Sequence, residues 1–131
     1  MKSRRVNECI LTLMLITSAL TIFPSCKKGS TNETAANDNY YVKYVIEGNG
    51  AYGRFSNWTA TTPQGTYTNS GTQVPSWSQT YGPVSKGFRC QVQISSYISG
   101  APTIEIHVSK NSEPFAVKAT MTGSSATYTI N

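Results

Sequence analysis

Tyr41-Val42-Lys43-Tyr44-Val45-Ile46-Glu47 is the stretch that decides the fold. Val42, Tyr44 and Ile46 alternate with Lys43, Val45 and Glu47, which is the two-residue period of a strand with one buried face and one wet face. Outward from there the pattern returns at Phe88, Cys90, Val92 and Ile94, set against Arg89, Gln91, Gln93 and Ser95, and again at Ile104, Ile106 and Val108, set against Glu105, His107 and Ser109. Weaker strands fit Tyr52 to Ala60, Ser76 to Tyr81, Phe115 to Met121 and Ala126 to Ile130. Thr62-Pro63-Gln64-Gly65 suits a type I turn, since proline presets the dihedral at the second position. Ser99-Gly100-Ala101-Pro102, Lys110 to Pro114 and Thr122 to Ser125 punctuate the rest. No segment from Tyr40 onward shows a helical period or a helix cap followed by an apolar stripe. About seven short antiparallel strands, rich in Thr, Tyr, Val and Ile, predict an all-β chain folded as a β-sandwich over residues 40–131.

Before this domain the composition changes twice. Ser30 to Asn39 holds no large apolar residue, so it cannot bury enough surface to offset the entropy of ordering, and 26–39 reads as a flexible tether. Residues 1–25 carry Lys2, Arg4 and Arg5, then 15 residues from Cys9 to Phe23 that are mainly apolar, then Pro24-Ser25-Cys26-Lys27-Lys28. Fifteen residues match the apolar part of an export signal and fall short of the roughly 20 that span a bilayer. The layout resembles a bacterial lipoprotein signal of the Bacteroidota type, which implies cleavage after Ser25 and lipid on the sulfur of Cys26. The alternative is an ordinary secreted chain in which Cys26 is an incidental thiol. Lys27-Lys28-Gly29-Ser30 is not the acidic run that surface-displayed lipoproteins often carry, so the periplasmic face of the outer membrane is expected rather than the cell surface.

Charge excludes one class of partner. Removing residues 1–25 takes away three cations and Glu8, so the formal net charge falls from +5 to +3. Lys43, Arg54, Lys86, Arg89, Lys110 and Lys118 are scattered singly, whereas phosphate-backbone binding needs several cations on one face. Nucleic acid is not expected. Among the cysteines, Cys90 stands at an apolar-facing strand position and is expected to be buried and unpaired.

The order Tyr41 to Gly48, then Pro75-Ser76-Trp77-Ser78, then Phe88 to Ser95, then Ile104-Glu105-Ile106-His107-Val108 resembles the extracytoplasmic domain of the MmpS family. That resemblance covers Tyr40 to Asn131. It implies an immunoglobulin-like β-sandwich, a core position for Trp77 between the sheets, and an accessory role beside membrane transporters.

Candidate chemistry is sparse. Gly48-Asn49-Gly50-Ala51-Tyr52-Gly53 has the glycine spacing of a dinucleotide-binding turn, but no helix follows, and no acidic residue occurs between Glu47 and Glu105. A glycine-rich hairpin loop is expected instead. His107 is the only histidine, and with Glu105 it supplies at most two metal ligands where a zinc site needs three or four. No serine sits in a nucleophile elbow, and Glu47, Glu105 and Glu113 form no convincing catalytic pair. No cofactor and no enzymatic activity are expected, and His107 is expected to be a solvated strand residue.

Aromatic rings are the remaining lead, because exposed flat rings stack on sugars or anchor protein interfaces. Trp58, Tyr67 and Tyr52 are the candidate binding surface, with Trp58 and Tyr67 open between surface and core. The function expected is a lipid-anchored envelope protein whose non-catalytic sandwich binds an envelope protein, with a glycan as the alternative ligand.

Overall fold

The computed structural model describes residues 37–131. The signal reading of residues 1–25 and the lipidation of Cys26 lie outside the described residues. Eight strands follow in order: β1 (Tyr40–Glu47), β2 (Arg54–Thr62), β3 (Gly65–Thr68), β4 (Ser76–Val84), β5 (Arg89–Ile98), β6 (Thr103–Lys110), β7 (Ala116–Thr122) and β8 (Ser125–Thr129). All strand pairings are antiparallel, in two four-stranded sheets of order β4-β1-β6-β7 and β3-β2-β5-β8. The expected β-sandwich is present, with eight strands where about seven were expected. In this order β1 pairs with β4 and β6, whereas the first strand of a constant-type immunoglobulin domain pairs with the second.

The alternation read from the sequence is the alternation that packs. Val42, Tyr44 and Ile46 of β1 and Ile104, Ile106 and Val108 of β6 face Cys90, Val92 and Ile94 of β5 across one core. Each such side chain contributes roughly 1.5–3 kcal/mol by leaving water. Tyr44 also spans the two sheets, its hydroxyl donating to the Thr61 carbonyl at 2.8 Å. Ala36–Asn131 is one compact unit with a hydrophobic core of its own among the described residues, as a self-contained folding domain has.

The eighth strand is β3. It has four residues, only Tyr67 is even partly buried, and no apolar alternation marks it. What makes it a strand is the turn before it: Thr62 pairs with Gly65 around Pro63-Gln64, and the Thr62 hydroxyl both donates to the Gly65 carbonyl and accepts from the Gln64 N–H. β2 begins at Arg54 rather than Tyr52, and its period breaks at Asn57, whose φ is +54°. Asparagine tolerates this left-handed conformation better than most residues. The break lets Phe55 and Trp58, three apart, both reach the core.

Antiparallel order sends the connections to two ends. Residues 48–53, 69–75, 99–102 and 123–124 gather at one end, and residues 63–64, 85–88 and 111–115 gather at the end where the chain enters β1. At the entry end Asp38 and Asn39, assigned from sequence to the tether, are tied down. Lys110 Nζ lies 2.8 Å from Asp38 Oδ2, Asn111 Nδ2 donates to Asp38 Oδ1 at 2.7 Å, and the Asn111 N–H donates to the Asn39 carbonyl at 2.9 Å. These donors hold the Asp38 carboxyl below its ordinary value.

Candidate interaction surface

The opposite end of the sandwich is built from loops that lock one another. Asn49 Nδ2 donates to the Ala101 carbonyl at 2.8 Å and to Thr103 Oγ1 at 2.9 Å, joining the β1–β2 loop to the β5–β6 loop. Gly50 has φ of +88°, and a Cβ there would stand 2.7 Å from the Ser99 carbonyl oxygen, so the two backbones can touch only through a glycine. The Gly48 N–H donates to the Pro75 carbonyl, and Phe55 and Val74 exchange both backbone bonds. Gly71 N–H donates to Asn57 Oδ1 at 2.8 Å, which fixes the middle of the β3–β4 loop. Gly48 to Gly53 is thus a structural loop, as expected from the missing helix, but it crosses from one sheet to the other instead of closing the expected hairpin, since β1 and β2 belong to different sheets.

On this locked base three large side chains stand in water. Tyr52 is 81% exposed at the tip of the β1–β2 loop, and Tyr97 and Ile98 are exposed at the end of β5. The β2–β5 register pairs Arg54 with Ile98 and Phe55 with Tyr97, which places Tyr97 and Ile98, on opposite faces of β5, at the loop end that also carries Tyr52. The surrounding loops are rich in Ser, Gly and Asn, the small adaptable polar residues that accompany tyrosine in binding loops. Sequence reasoning placed Tyr52 on the surface, counted Tyr97 among the aromatic leads without placing it there, and missed Ile98. Their signal was the end of the β5 alternation, where two large residues, Tyr97 and Ile98, follow one another directly.

Trp58, read as a possible surface residue, is corrected by the structure: it is 1% exposed and is the largest fully buried side chain. Its ring meets Phe55 edge-on at 5.0 Å and Trp77 at 5.8 Å. The core tryptophan is therefore Trp58, and Trp77, expected in the core, is only partly buried at the open edge between β4 and β3. The exchange follows from strand position, since β2 is central in its sheet and β4 is an edge. Tyr67 is partly buried and lies on Trp77 at 5.4 Å with 17° between the planes. These two rings give a face to each other rather than to a flat ligand.

Glu105 and His107 do point outward, but His107 is not solvated as expected: its side chain is 16% exposed, and its Nε2 lies 2.8 Å from Glu105 Oε2. The cause is position, because β6 is an inner strand and Lys43 and Val117 flank His107 in the register. Among the described residues His107 makes no side-chain bond other than that to Glu105, and no group of three or more metal-ligating side chains occurs. Cys90 is fully buried and unpaired. Burial pushes its thiol up to about 11, and the Tyr44 hydroxyl beside it pulls slightly the other way. Burial likewise raises Tyr44 well above the ordinary tyrosine value, with Cys90 adding to the effect. Both groups are neutral inert core atoms at physiological pH. No protein-family model, no curated protein and no solved structure matches this chain.

Proposed function

We propose that the sandwich is a non-catalytic protein-interaction module, held to the cell envelope by lipid on Cys26, and that Tyr52, Tyr97 and Ile98 form the surface its partner covers. The observation that carries this reading is an exposed aromatic and aliphatic corner on loops already fixed by hydrogen bonds, at the end opposite chain entry. A preorganised surface loses little entropy on binding, and tyrosines at such sites act as anchors. A glycan platform draws less support, because Trp58 is buried and Tyr67 and Trp77 stack on one another. The resemblance to MmpS-type domains makes a membrane transport complex the first partner to look for, on the periplasmic face of the outer membrane.

A photocrosslinking amino acid at Tyr52 or Tyr97 in the native envelope tests the reading. A discrete protein adduct is expected there and not from Lys43 or Thr66. Equal adducts at all four positions, or none at the loop end, would remove the basis for this assignment.

A further inference from the structure

The outer strands of the two sheets are β3, β8, β4 and β7. An outer strand offers unpaired N–H and C=O groups on its free side, and folded proteins blunt such edges with proline, charge, bulges or extreme shortness. β4 carries Pro83 and a register shift opposite Tyr40 and Val42. β7 has an irregularity opposite Ile106 and His107 that sets Lys118 out of register. β3 is only four residues long. β8 has none of these guards apart from modest length, and its pairing continues at both ends: the Ser124 carbonyl accepts from the Ile94 N–H at 2.7 Å, and Ile130 bonds Phe88 and Gly87. Ser124 to Ile130 contains no charge, no proline and no glycine.

The direction of the free groups follows from those end bonds. Ser124 and Ile130 bond towards β5, and in an antiparallel ladder the bonding side alternates from one residue to the next. Ser125, Thr127 and Thr129 therefore turn their N–H and C=O groups away from β5, and all three residues are exposed.

We propose that β8 is where two copies of this domain join, by antiparallel pairing of β8 with β8 of a second copy about a twofold axis at Thr127. In that register Thr127 meets itself and Ser125 meets Thr129 on each side of the axis, giving about six backbone hydrogen bonds from the three exchanged pairs. On the outer face hydroxyl residues oppose hydroxyl residues, and on the inner face Ala126 opposes Tyr128, small against large. No charge is repeated across the axis, so the segment is complementary to itself, which a closed twofold interface requires. The neighbouring β7 edge supports the same occupant. Phe115, Val117 and Met121, half of the large apolar side chains that the domain exposes, lie on or beside it.

The axis stands perpendicular to the sheet, so the pair carries one Tyr52 corner at each end. Twelve residues from Cys26 to Asn37, ahead of the tied Asp38, reach at most about 40–43 Å. The ten residues of β5 span about 33 Å, so both chains can be anchored to one surface. The pairing rests on β8 and is independent of the function proposed above.

Sedimentation velocity of residues 36–131, from micromolar to hundreds of micromolar, tests it. A reversible dimer is expected, and Thr127→Lys, which places like charges opposite one another on the axis, should raise its dissociation constant about tenfold or more while the far-UV spectrum is unchanged. Thr127→Cys gives an independent reading. Residues in an exchanged pair stand about 5.5 Å apart at Cα, within disulfide range, so mild oxidation should yield a covalent dimer, and Thr66→Cys on β3 should not. A protein that stays monomeric with no Thr127→Cys dimer, a dimer indifferent to Thr127→Lys, or a monomer that pairs β8 only with another protein's peptide each overturns the proposal.

Discussion

At the scale of single residues, the two tryptophans separate structure from surface. Trp58 has ring neighbours on both sides and no exposure, so Trp58→Ala should cost about 3–5 kcal/mol in urea unfolding. Trp77→Ala, at the half-open edge, should cost nearer about 1 kcal/mol. The reverse order would show that Trp77 is the residue that holds the sheets together. Cys90 makes a pH prediction. Its folded value near 11 lies above the ordinary 9.0, so the fold favours the neutral thiol. The stability this contributes is fully present below pH 9.0 and is lost as pH rises through about 11. The urea midpoint should therefore fall more steeply between those values in the wild type than in Cys90→Ala, and parallel curves would contradict the assignment.

At the scale of elements, strands and loops divide the work. β1, β5 and β6 could be read from sequence because half-buried strands print their burial in a two-residue period. β3 could not, because a short edge strand buries almost nothing and its pairing is imposed by the turn. β2 was misplaced by two residues because Tyr52, read as its first residue, belongs to the glycine-rich loop from Gly48 to Gly53. The loop end depends on Asn49, which reaches across to the β5–β6 loop with two bonds. Asn49→Ala should cost about 1–3 kcal/mol, since both acceptors are left without their donor. It should also raise amide exchange in residues 99–103 without affecting the middle of β1. Unchanged exchange there would mean that the loops are not held by this side chain, and the preorganisation argument for the Tyr52 corner would go with it.

At the scale of the whole molecule, anchoring is open to a direct check: a fatty-acid probe should label the wild type and not Cys26→Ala, and the variant should leave the membrane fraction. Equal labelling would mean that the cysteine is an incidental thiol. The sequence alone determined that the domain is an all-β sandwich, that its core faces are Val42-Tyr44-Ile46, Cys90-Val92-Ile94 and Ile104-Ile106-Val108, and that Gly48 to Gly53 is a loop. These are local properties, carried by side-chain period and backbone permission within a few residues. Only the tertiary structure decided which tryptophan is buried, that His107 is shielded between Lys43 and Val117, that Tyr97 and Ile98 stand at the same end as Tyr52, and that β8 is the least protected edge. Each of those depends on which strand lies beside which, and strand neighbours here are set by contacts between residues far apart in the chain. A period of two reports which face of a strand is buried. It carries no information on whether that strand stands at the centre of its sheet or at the rim, and in this domain the rim is where the candidate pairing edge is found.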